Sequence, residues 1–190
     1  LWVISVTDPA QPAVVGRYDS PGSASGVAVV GTIAYVADAD SGLRVISVAD
    51  PAHPSEVGHT SGWALDVAVV GDYAYVAGYD SGDYRLSVIS VADPAHPVEV
   101  GHCIVPGDGA AHVSVDGDYA CITGGAAGLA IVSIVDPQHP VVVGHGGSVF
   151  AIGVSARGTL AFVAGDKGGL RVFSFADPAH TVEVGHYDLP

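Results

Sequence analysis

Valine and other β-branched or aromatic residues alternate with small or polar ones along nearly the whole chain. In the stretch from Gly26, GVAVVGTIAYVAD, two such runs flank a Gly-containing turn, which predicts a pair of short antiparallel strands. Similar phrases begin at Asp66, His112 and Gly153. Between them stands a second phrase, LRVISVADPAHPSEVG from Leu43, with relatives beginning at Leu1, Leu86, Leu129 and Leu170. It predicts a third strand, an Asp-Pro-x-His-Pro turn, and a fourth strand. The Asp side chain can accept backbone N–H groups in that turn, and each Pro stops the strand from running on. No stretch has a convincing helical period.

One unit therefore reads as strand A (Val27 to Val30), strand B (Ile33 to Ala37), strand C (Leu43 to Val48) and strand D (Ser55 to Gly58). The Asp-Pro pairs at Asp8, Asp50, Asp93, Asp136 and Asp177 recur every 42, 43, 43 and 41 residues, the length of one four-stranded propeller blade. The expected fold is all-β, a β-propeller with four complete blades and one half-blade at the N-terminus. The half-blade, strands C and D alone, takes residues 1–25. The blades take approximately 26–65, 66–111, 112–152 and 153–190.

A half-blade leaves an edge unpaired, and propellers commonly remove such edges by sharing a blade between the chain's two ends. The closing Tyr187-Asp188-Leu189-Pro190 resembles Tyr18-Asp19-Ser20-Pro21, the lead-in to the next strand A. The chain is thus expected to be a segment of a longer propeller. The alternative is completion of the half-blade by a neighbouring subunit. Because the sequence starts inside a repeat, its lack of a leader says nothing about export.

The phrases Leu43-Arg44-Val45-Ile46-Ser47-Val48-Ala49-Asp50-Pro51 and Ala34-Tyr35-Val36-Ala37 closely resemble those of the LVIVP-repeat proteins, and the resemblance recurs in every copy. It implies a β-propeller of a bacterial or archaeal surface or secreted protein, usually without an assigned activity. A more distant similarity is to surface-layer propellers with Tyr-Val-Thr-Asn repeats, although this chain has no Asn. A WD-repeat reading is weaker, because no Trp-Asp pair occurs.

Composition narrows the partners. With 20 acidic against 6 basic residues and a formal charge of −14, the chain would repel nucleic acid. No apolar run approaches the ~20 residues of a membrane-spanning helix. Cys121 occupies the place of Tyr35, Tyr75 and Phe162 and reads as a small core substitute, with a disulfide to Cys103 left open.

Eight of nine histidines fall in register, as His53 and His59, His96 and His102, His139 and His145, His180 and His186. Each pair straddles strand D about 20 Å apart, which prevents a shared metal and favours turn and strand-end roles. Asp38-x-Asp40-Ser41-Gly42 carries a faint calcium-loop pattern but reads better as a β-turn. The informative positions are those that break the repeat. At the start of strand A, which would line a central channel, stand Gly26, Asp66, His112 and Gly153. Asp66 and His112 are the candidate ligand pair at the channel mouth, able to orient a proton acceptor or hold a metal. The linker from Cys103 to Ala111 lies on that face and could cover a ligand.

Enzyme motifs such as a nucleophile elbow or phosphate-binding loop are absent, and no cofactor is expected. The first expectation is a non-catalytic extracellular or cell-surface scaffold that binds other proteins or copies of itself. The alternative is a small-ligand- or metal-binding propeller, or a hydrolytic enzyme, built around Asp66 and His112.

Overall fold

The structure, a computed structural model, describes residues 1–107, 111–147, 150–165 and 168–189. The half-blade consists of β1 (Trp2–Ser5) and β2 (Ala13–Arg17). Blade one holds β3 (Gly26–Val30), β4 (Ile33–Ala37), β5 (Leu43–Ser47) and β6 (Ser55–His59). Blade two holds β7 (Trp63–Val70), β8 (Tyr73–Asp80), β9 (Asp83–Ser90) and β10 (Val98–Ile104). Blade three holds β11 (Ala111–Asp116), β12 (Tyr119–Gly124), β13 (Leu129–Ser133) and β14 (Val141–Gly146), and blade four β15 (Ala151–Arg157), β16 (Leu160–Gly165), β17 (Gly169–Ser174) and β18 (Val182–Tyr187). In every full blade the strands pair antiparallel in chain order. Pro178–His180 forms a short 3-10 turn.

Strand alternation decides which way each side chain looks. Along β5, Leu43 and Val45 face the following blade, where they join Val67, Val76 and Ile89. Ile46 faces back and packs with Leu1 and Tyr18 of the half-blade segment. The same division repeats. Leu86 and Val88 of β9 meet Val113, Ile122 and Val132, and Leu129 and Ile131 of β13 meet Val163, Phe173 and Phe175. Strands B and C thus need apolar residues on both faces, and the core is a stack of inter-blade layers. Each fully buried Leu, Ile or Phe contributes roughly 1.5–3 kcal/mol.

The Asp-Pro turn fixes the outer side of each blade. Asp50 Oδ1 accepts the Ala52 N–H at 3.0 Å, and the backbone N–H of His53 donates to the Asp50 carbonyl at 3.1 Å. Asp8, Asp93 and Asp136 repeat the first bond with Ala10, Ala95 and Gln138. Against each turn sits the glycine of the preceding blade's Val-Gly pair. A Cβ added at Gly16, Gly58, Gly101 or Gly144 would collide with the carbonyl oxygen of Pro51, Pro94, Pro137 or Pro178, respectively. These glycines are required by close approach of two backbones.

At the two ends the pattern lacks its neighbour. Leu170 is 42% exposed, whereas its counterparts Leu43, Leu86 and Leu129 are at most 1% exposed. Ile4 is 51% exposed, against 0% for Ile46 and 3% for Ile89. Val27 of β3 is open at 53%, while Val67 and Val113 are buried, because strands A and B of the half-blade are not there to cover it. Gly185, the last glycine of the series, has nothing within 4 Å of an added Cβ.

This contrast supplies its own control. Gly58→Ala should destabilise the dilute protein by about 1–3 kcal/mol through overpacking, and Gly185→Ala should stay within about 0.5 kcal/mol of the parent. Urea unfolding of the two variants measures both.

Candidate functional site

Asp66 on β7 and His112 on β11 come from the inner strands of blades two and three. Asp66 Oδ2 lies 3.4 Å from His112 Nδ1 and accepts the Val113 N–H at 3.0 Å, while Oδ1 accepts the Val67 N–H at 2.9 Å. The hydrogen bond that His112 donates to Asp66 raises the His112 pKa above its ordinary value, against the opposing effect of partial burial. The pair can therefore hold a proton. Among the described residues, no group of three or more His, Cys, Asp or Glu side chains gathers around a common point.

The geometry also gives Asp66 a mechanical task, since its carboxylate spans from the middle of β7, which begins at Trp63 rather than at Asp66 as expected, to the backbone of the next blade. Other polar residues on or beside the inner strands do likewise. Ser25 Oγ donates to the Leu65 carbonyl at 2.6 Å, joining blades one and two. Ser114 Oγ accepts from Ala156 N–H at 2.9 Å and Asp116 Oδ2 from Gly158 N–H at 2.6 Å, joining blades three and four. These polar bonds fasten neighbouring inner strands.

The register histidines are held at the periphery. Nδ1 of His53, His96, His139 and His180 lies 2.8–2.9 Å from Asp50, Asp93, Asp136 and Asp177 of its own turn. The His hydrogen bond leads in lowering each of these Asp pKa values. His59, His102 and His186 reach Glu56, Glu99 and Glu183 on their own strands. Seven of the eight rings are thus paired with a nearby carboxylate, in keeping with a turn and strand-end role; at His145 the equivalent of the Glu is Val142.

Sequence reasoning missed the role of Asp38. Its backbone does form the expected turn, with Ser41 N–H donating to the Asp38 carbonyl at 3.0 Å. Its side chain is fully buried and accepts the Ser20 hydroxyl at 2.6 Å and the Gly22 N–H at 2.8 Å, with Arg44 Nε 3.8 Å away. Arg44 continues to Glu56, which also accepts the Tyr18 hydroxyl at 2.5 Å. Burial, reinforced by Glu56, pushes the Tyr18 pKa up to about 12. This network pins the segment between the half-blade and blade one. A signal existed in the sequence: Asp38 stands where the other copies have Gly78, Gly124 and Gly165.

Cys103 and Cys121 are both free, so the open question of a disulfide is answered. Cys121 is fully buried at its aromatic register position, and burial pushes its pKa up to about 12 and that of Cys103 to about 11. In the linker expected to cover a ligand, Val105 N–H bonds back to the Tyr84 carbonyl at 3.0 Å, extending the blade. Asp108, Gly109 and Ala110 lie outside the described residues. The three extra residues of this copy, Asp83 to Arg85, extend the start of β9, where Arg85 lines a cleft of about 250 Å³ between blades one and two. Its Arg85 is already held by Asp80, Ser87 and Glu99.

Successive four-stranded sheets, fastened at their inner strands and stacked through apolar faces, define a repeat protein of the β-propeller class. The LVIVD repeat matches residues 21–60, 61–105, 107–145 and 147–189, and the chain belongs to that family. The family is the one indicated by the repeated phrase, under a name differing in its last letter. No curated protein matches the chain. Among solved structures, a structural genomics protein of unknown function from Bacteroides thetaiotaomicron is 16% identical, with a TM-score of 0.60. The alignment covers 84% of this chain and 42% of that one, so the chain spans less than half of that relative's length. The computationally designed Ika4 protein is 9% identical with a TM-score of 0.63, over 84% of this chain and 95% of its own. At these identities the likeness concerns fold alone.

The Asp66–His112 pair makes a pH-dependent contribution. His112 should titrate above 6.5, and Asp66→Asn should return it toward that value, as followed by NMR of the imidazole. Because the folded-state pKa is raised, the stabilisation is fully present below 6.5 and is lost as pH rises through the folded value.

Proposed function

We propose that this chain is a non-catalytic propeller scaffold of the cell surface or extracellular space, which engages further polypeptide segments through its open blade faces. The observation that carries the reading is positional. Phe162, Leu170 and Val172 occupy the places of Tyr35, Leu43 and Val45, all buried in blade one, yet Leu170 stands open to solvent. At the other end β1 has an unpaired edge, with Trp2, Ile4 and Val6 exposed beside it. Such surfaces mark interaction sites, and an open strand edge favours a partner that adds strands. The family resemblance supports the surface location, and the net charge of −14 favours protein partners over nucleic acid.

The ligand or metal reading of Asp66 and His112 draws support from their 3.4 Å approach. Against it, both Asp66 oxygens already accept backbone N–H groups. The scaffold reading is therefore the stronger one.

A synthetic peptide of residues 66–78, which carries the strand A and B phrase, tests this reading. It should bind the chain, shift Trp2 fluorescence and protect the Trp2–Ser5 amides that point away from β2, where a scrambled peptide does neither. Absence of saturable binding at ~1 mM, weaker than about −4 kcal/mol, would contradict the scaffold.

A further inference from the structure

We infer that the cleft between blades one and two binds a phenolic ring whose hydroxyl donates to Glu99. The inference stands apart from the scaffold reading and rests on a site of the same build that the chain fills with its own tyrosine. At the junction before blade one, the Tyr18 ring packs beside Ala34, Val36 and Ile46, and its hydroxyl donates to Glu56 Oε2 at 2.5 Å. Glu56 Oε1 is held by Arg44 at 3.3 Å and lies 2.8 Å from His59 Nδ1. One blade later the frame repeats. The Thr60 N–H donates to the Leu43 carbonyl at 2.9 Å, as the Tyr18 N–H does to that of Leu1. Glu99 Oε1 accepts from Arg85 and lies 2.9 Å from His102 Nδ1, while Oε2 has no partner among the described residues.

The two junctions differ in what sits against the carboxylate. Thr60 follows Gly58 by two residues, as Tyr18 follows Gly16, and it brings no ring. In its place is the cleft of about 250 Å³, lined by Val76 and Ile89, the equivalents of Val36 and Ile46, together with Arg85 and Glu99. That volume is below the roughly 300–1,000 Å³ of most ligand pockets and suits a single ring. Arg85 comes from the residues inserted in this copy and supplies the guanidinium of Arg44, whose own place is taken by Ser87. A carboxylate so fixed is a strong acceptor for a hydroxyl. Blades three and four each lack a part. Blade three has Ala130 and Val142 in place of Arg44 and Glu56. In blade four Phe173 replaces Ile46 and closes on the Tyr18 position, where a Cβ added at Gly146 would lie 3.1 Å from its ring.

Titration of the protein with para-cresol, followed by amide NMR, tests the proposal. The expected result is saturable binding, with shifts centred on Thr60, Ser61, Arg85 and Glu99. The methyl ether of para-cresol keeps the ring and lacks the donor, so it should bind about tenfold more weakly, and Glu99→Gln should weaken para-cresol by a similar factor. Thr60→Tyr should abolish binding by seating the chain's own ring in the cleft. Circular dichroism should confirm that each variant keeps its fold. N-acetyltyrosinamide separates the sources of the ring: binding tighter than that of para-cresol assigns a tyrosine side chain of a polypeptide, and equal or weaker binding assigns a free phenol. Absence of saturation up to ~10 mM para-cresol overturns the proposal. Equal binding of the methyl ether overturns it as well, as does a titration unchanged by Thr60→Tyr.

Discussion

The close seating of a strand D glycine on the next blade's Asp-Pro turn governs this architecture. A side chain at Gly16, Gly58, Gly101 or Gly144 would strike a proline carbonyl, so the outer strands approach only where no Cβ intervenes. That approach brings the apolar faces together: with the blades in register, Leu43 reaches the layer of Ile89, and Leu86 that of Val132. The inner strands are fastened separately, by polar side chains such as Asp66 and Ser114 that bond to the neighbouring backbone. Stability is therefore a sum over neighbours, as expected of a repeat structure.

Regularity made the blade readable. Val and Ile alternation located the strands to within a residue or two in blade one, and the Asp-Pro phrase identified its turns through a local mechanism visible in four residues. What sequence could not reveal was the direction of a side chain where the repeat is broken. Asp38 looked like part of a turn, and its backbone is one, yet its carboxylate turns inward to collect Ser20 and Gly22 from a segment 16–18 residues earlier. Long-range pairing of this kind leaves no periodic trace. Asp66 and His112 were legible as neighbours because both break the same register position, whereas the second bond of Asp66, to Val113 N–H, depends on how adjacent blades abut.

The balance between fastening and chemistry follows from these contacts. A carboxylate that already accepts two backbone N–H groups is positioned to hold strands together, and seven of the peripheral histidines are set against a carboxylate of their own turn or strand. Polar residues in the described structure are largely occupied by the architecture itself. The unused capacity lies in apolar surface: Leu170, Ile4 and Val27 belong to a repeating interface whose other half is missing at these positions.

The central claim is that each blade draws its stability from the neighbour covering it. Native-state hydrogen exchange on dilute, monomeric protein compares equivalent strand C amides directly, since β1, β5, β9, β13 and β17 have closely related sequences. The account predicts strongest protection in β5, β9 and β13, less in β17, and least in β1, which lacks both a preceding blade and a strand B. Protection in β1 equal to that in β9 would contradict it.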